Sequence, residues 1–152
     1  MIQRIQTLYL LVATILMAMT LIFPIALFQV SGVEFTLSAF SFSGANESQS
    51  TLYMGILLAL ATAVPLVTIF LFKRRTLQIR LCAVEAVLLL GTLVFIGLYY
   101  WLSNRFFEDY TIDHKQFGWS AIMPVLALIL DIMAARAIFK DEVLVRSLDR
   151  IR

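Results

Sequence analysis

Four apolar runs of 21 residues, Leu8–Phe28, Leu52–Phe72, Leu81–Trp101 and Trp119–Phe139, constrain this chain more than anything else in it. A bilayer core is ~30 Å thick, and a helix needs ~20 apolar residues to cross it. Backbone groups in lipid must be satisfied within the segment, which selects helices. The runs therefore predict an all-α membrane protein, a four-transmembrane-helix bundle, with a small outer β-hairpin or sheet from loop 29–51. Charged residues make up 14% of the chain, against ~25% in soluble domains. Once the spans are subtracted, only the outer loops 29–51 and 102–118, a short inner loop and the tail 140–152 remain. The expectation is one domain, 1–152. The first run is longer than the ~7–15 apolar residues of a signal core and shows no small-x-small site before Gln29, so it is expected to be a retained span.

Lys and Arg near span ends set orientation. One side carries Arg4, Lys73, Arg74, Arg75, Arg80, Arg136, Lys140, Arg146, Arg150 and Arg152, whereas the other carries Arg105 and Lys115. That bias places both termini and the loop 73–80 in the cytoplasm and the loops 29–51 and 102–118 outside a membrane crossed several times. Tyr99, Tyr100, Trp101, Phe117 and Trp119 fall where spans three and four meet the outer headgroups, the level that amphipathic rings prefer. Lys73, Arg74, Arg75 and Arg80 are expected to contact anionic lipid headgroups of the inner leaflet. A run this short, between two spans, is no nucleic-acid patch.

In loop 29–51, Val33, Phe35, Leu37 and Ala39 alternate with Glu34, Thr36 and Ser38, which predicts a strand. Ser31-Gly32 supplies a turn back to Phe28–Val30. The stretch Ser43–Ser50 reads as an irregular return, and a third strand is expected near Tyr110–Ile112. Asn46-Glu47-Ser48 fits a glycosylation sequon, a pattern frequent by chance. The tail reads as a helical continuation of span four, with Leu144, Leu148 and Ile151 on one stripe. Pro24, Pro65 and Pro124 predict kinks inside spans one, two and four.

An ionised side chain at mid-bilayer costs on the order of 3 kcal/mol, so Glu85, Asp131 and Arg136 stand out. Glu85 and Arg136 lie at matching depth and are expected to pair, unless Arg136 reaches the inner headgroups instead. Asp131 shares a face with Ala127, Ala134 and Ala135, the small-residue signature of close helix approach. Burial favours its neutral acid form. Thr14 and Thr62 lie at similar depth as hydrogen-bond partners for it. Two readings stay open: an interhelical lock, and a proton or cation site.

The lone Cys82 reads as a packing residue without a disulfide partner, and the lone His114 provides no haem or metal pair. Glu108, Asp109 and Asp113 read as solvated loop charges. No Ser-His-Asp set, metal cluster, dithiol or phosphate-cradling glycine loop is present, so no enzyme, cofactor or metal is expected. The remaining readings are a non-enzymatic scaffold or accessory subunit, with a membrane-protein partner or a second copy of itself, and a small proton- or ion-coupled transporter using the buried carboxylates.

The opening MIQRIQTLYLL, the inner loop FKRRTLQIRL and the ending KDEVLVRSLDRIR together resemble an uncharacterised family of small four-span inner-membrane proteins, chiefly from Bacteroidetes, catalogued as a domain of unknown function. The resemblance covers the whole chain. It implies a bacterial inner-membrane location and a helical bundle, and it carries over no catalytic residue. The layout of outer strands between spans one and two, backed by the loop between three and four, is similar to that of claudins in topology alone.

Overall fold

The computed structural model describes residues 2–44, 47–72, 74–106 and 112–149. Helix α1 (Ile2–Ile22) is followed by four strands, β1 (Ala26–Val30), β2 (Val33–Leu37), β3 (Ser41–Gly44) and β4 (Glu47–Ser50). Then come α2 (Leu52–Phe70), α3 (Arg75–Phe106), β5 (Ile112–Phe117), a 3-10 turn (Trp119–Ile122) and α4 (Met123–Asp149). Lys73, Asn46, Glu108, Asp109 and Tyr110 lie outside the described residues, as does the side chain of Asp113.

Each helix buries one narrow stripe, spaced alternately by three and four residues. On α1 it is Gln6, Leu10, Ala13, Met17 and Thr20; on α2, Met54, Leu58, Ala61, Pro65 and Thr68. On α3 it is Gln78, Cys82, Glu85, Leu89, Thr92 and Ile96; on α4, Pro124, Ala127, Asp131, Ala134 and Ile138. A mean period of 3.5 is the seam of a left-handed bundle. Helices α1 and α3 each pack against α2 and α4, so the four stand in a ring.

The faces turned away from the seam are also apolar. Leu8 and Ile15 on α1, Leu60 and Val67 on α2, Val87 and Val94 on α3, and Ile129 and Ile132 on α4 are all exposed. The four candidate spans have a mean hydropathy of 2.1 to 2.4, yet only 28–33% of their residues are buried. A soluble bundle is amphipathic; helices apolar all round need an apolar surrounding. These are four helices long and apolar enough to cross a membrane.

At one end the strands form an antiparallel sheet of order β4-β3-β2-β1-β5. Ser31 (φ 50°) and Gly32 (φ 79°) both take the left-handed conformation, which is the type I′ geometry that matches hairpin twist. Strand β5 joins from the other loop, pairing Phe28 with Lys115 and Ala26 with Phe117. Ala26, Phe28 and Val30 turn inward and alternate with exposed Leu27 and Gln29. The Phe28 ring meets Phe42 and Tyr100 at 5.6 Å between centroids, and Tyr100 stacks on Phe117 at 4.0 Å. Lys115 lies over the Phe28 and Tyr100 rings and donates to the Ser103 hydroxyl at 3.3 Å. Its partial burial holds the amine below the ordinary lysine range.

Several boundaries differ from the sequence reading. The first helix is 21 residues long, as expected, but it is displaced toward the N-terminus and takes in Gln3, Arg4 and Gln6. Pro24 disfavours helix at the residue before it, and the rest of the run joins β1. Pro24 is thus a terminator and not a kink. Pro124 is the second residue of α4, where a missing N–H is harmless; of the three prolines only Pro65 is inside a helix away from its ends. Residues 43–50 are no irregular return: Ser41–Gly44 and Glu47–Ser50 pair as β3 and β4. Polar residues at an exposed sheet edge have no apolar alternation to betray them. Among the described residues the loop strand runs over Ile112–Phe117, sharing Ile112 with the expected position and extending past it.

The two ends of the apolar break are stitched together. Ser120 Oγ donates to the Pro24 carbonyl at 2.6 Å, and Gly118 N–H donates to the Ile25 carbonyl at 2.8 Å. A Cβ on Gly118 would run into the Pro24 carbonyl oxygen. The Thr51 hydroxyl reaches the Ser38 and Ala39 carbonyls at 3.2 Å, which ties α2 to the sheet.

Two outcomes are expected in thermal melts of the detergent-solubilised protein. Gly118→Ala lowers stability by about 1–3 kcal/mol, because backbone must move. Ala61→Leu, on the seam, costs a similar ~1–3 kcal/mol, whereas Leu60→Ala on the outer face stays within ~0.5 kcal/mol. Equal midpoints for the two α2 variants would contradict the assigned packing face.

Candidate functional site

Glu85 and Asp131 occupy seam positions on neighbouring helices, between Cys82 and Leu89 on α3 and between Ala127 and Ala134 on α4. Their exposures are 0% and 1%. Sharing the seam sets the two carboxyl groups on facing positions of the packed helices α3 and α4. Cys82, one turn from Glu85 on the same stripe, is buried as well. Both oxygens of Glu85 and Oδ1 of Asp131 find no donor among the described residues. By seam position, α1 and α2 present only Ala13 and Ala61 at this level, and both belong to the same buried cluster.

The other residues singled out in the sequence lie elsewhere. Arg136 does not pair with Glu85: it is exposed, five residues beyond Asp131 and off the stripe of Asp131, Ala134 and Ile138. It lines a groove of about 390 Å³ with Ile5, Tyr9 and Lys140. Thr14 and Thr62 do not reach Asp131. Each hydroxyl donates to a carbonyl of its own helix at 2.8 Å, Leu10 and Leu58 respectively, the back-bonding that satisfies a threonine within a helix. Depth in the span suggested these pairings; angular phase around the helix decides against them.

Of the basic residues near the inner loop, Arg74 and Arg80 are exposed. Arg75 is instead engaged within the protein, 3.1 Å from the Asp141 carboxylate across α3 and α4. Gln78 Nε2 donates to the Thr68 carbonyl at 3.0 Å, which satisfies an orphan acceptor in the last turn of α2. Gln6, Phe70, Arg75 and Gln78 border a second groove of about 490 Å³.

Cys82 is the member of the cluster that sequence reasoning passed over. Its spacing of three from Glu85, in phase with Gln78 and Leu89, was the available signal. Two buried carboxyl groups on facing helices are groups that could hold a proton. Among the described residues no three His, Cys, Asp or Glu side chains converge where a metal would sit.

Asp131→Asn is expected to change the melting midpoint little, since an amide fills the same space and donates to Glu85. Asp131→Leu is expected to lose roughly 2–3 kcal/mol, because it leaves the Glu85 carboxyl buried without a polar neighbour. Thermal denaturation of both variants in one detergent checks the difference.

No curated protein matches the chain. The family model described as "Domain of unknown function (DUF4293)" matches residues 2–151, and the chain belongs to that family.

Proposed function

We propose that the protein is a non-enzymatic scaffold or accessory subunit of a larger assembly in the bacterial inner membrane, crossing it four times with both termini in the cytoplasm. The Lys and Arg bias supports this orientation and puts the sheet outside. The observation that carries the reading is the sheet itself. Five strands drawn from both loops are bonded to the helix ends, and among the described residues the outer edges of β4 and β5 are unpaired. An open strand edge offers main-chain donors and acceptors to a partner's strand. Both edges are polar, through Ser48, Gln49 and Ser50 on one and His114 and Gln116 on the other, which suits a reversible contact in water. Exposed Arg74 and Arg80 fit anionic headgroups at the opposite end.

The buried carboxyl pair favours a second reading, a proton-coupled carrier. Proteoliposome flux for wild type and Asp131→Asn tests it, and indistinguishable fluxes remove it.

A photo-crosslinking residue at Gln49 or His114 is expected to capture a partner protein, or a second copy of this chain, in intact membranes. The same residue at Val87, which faces lipid, is expected to capture none. A protein that purifies alone from mild detergent as a single 17.2 kDa chain, without crosslinks from either edge, would overturn the accessory reading.

A further inference from the structure

We infer that Glu85 and Asp131 form a proton-binding site in which one proton is held between the two carboxyls, with Glu85 as the acid and Asp131 as the base. The inference rests on neither functional reading above. It begins from two fully buried carboxyl groups that face each other across α3 and α4 while three of their four oxygens lack a donor.

Two carboxylates on facing seam positions repel strongly where little water screens them. A cation would compensate, but the described residues around them supply none. On α3 the neighbouring titratable group is Cys82, a neutral thiol. On α4 the nearest cation is Arg136, exposed and out of phase. From α1 the nearest titratable side chain is Tyr9, packed beside Leu10, Cys82 and Ala134 one layer toward the N-terminal end. Between Met54 and Phe70, α2 carries no titratable side chain at all. Arg75 is taken by Asp141.

One proton resolves the arrangement. The Glu85 O–H donates to Asp131, which leaves a single neutral carbonyl oxygen on Glu85 without a donor. Both oxygens of Glu85 are buried without a donor among the described residues, against one of Asp131, and this marks Glu85 as the proton's holder and Asp131 as the acceptor. A second proton, on Asp131, would turn that acceptor into a competing donor. A metal ion fits less well, because no three ligands converge on one point among the described residues.

The test is infrared spectroscopy of the protein in lipid bilayers at neutral pH, where a protonated carboxyl gives a C=O stretch distinct from carboxylate bands. The expected spectrum has one such band. Labelling with ¹³C-glutamate moves it in the wild-type protein, which needs no variant to fold. Glu85→Gln abolishes the band; Asp131→Asn keeps it at a changed frequency. The proposal is overturned by the absence of the band, by its survival in Glu85→Gln, or by its moving with ¹³C-aspartate instead. Loss of the band on adding sodium would equally overturn it, by making a metal ion the occupant.

Discussion

The polar residues of the helix seam hold the rest of the structure in place. In an apolar surrounding, helices gain nothing by hiding leucine from solvent, because solvent and neighbour are equally greasy. Close packing and hydrogen bonding are left to decide which faces meet. Each stripe here accordingly mixes small residues with polar ones: Ala13 and Thr20, Ala61 and Thr68, Cys82 and Glu85, Ala127 and Asp131. Most of the polar members are satisfied within their own helix, as Thr20, Thr68 and Thr92 are by the carbonyl four residues back. The two acids have no such local answer. They stand on facing seam positions of α3 and α4.

The spans were readable because length and hydropathy are summed quantities, insensitive to detail. Helix ends were not, since they depend on single residues. Phe23-Pro24 stops α1 although the apolar run continues, and the leading Gln3-Arg4 joins the helix although it is polar. The β1–β2 hairpin was legible from alternation and Ser31-Gly32. The β3–β4 hairpin was not, because Ser41–Ser50 carries no apolar face. In the site, Glu85 and Asp131 were visible as buried charges, but depth alone paired Glu85 with the wrong residue. The alternate three-and-four spacing of buried positions excludes Arg136 and includes Cys82, and that pattern was present in the sequence throughout.

Both ends of the bundle bear cations, and they are held differently. At the sheet end Lys115 sits over two aromatic rings with its amine on a serine hydroxyl. At the other end Arg75 bonds Asp141, while Arg74, Arg80, Arg136 and Lys140 are exposed. Among the described residues Lys115 is thus held at the sheet end, whereas at the other end Arg75 is held and Arg74, Arg80, Arg136 and Lys140 are left at the surface.

That contrast extends to the helices. At the sheet end α1 and α4 are joined through Pro24, Ile25, Gly118 and Ser120, α2 is anchored by Thr51, and α3 is pinned by the stack of Tyr100 on Phe117. The opposite end carries the partly solvated Arg75–Asp141 ion pair and the Gln78 side chain on the Thr68 carbonyl. A spread of the four rods that kept the sheet-end bonds would pivot about the sheet, as the legs of a tripod spread below its head. Glu85, only the eleventh residue of the 32 in α3, hangs below the midpoint of its leg, where such a spread is felt.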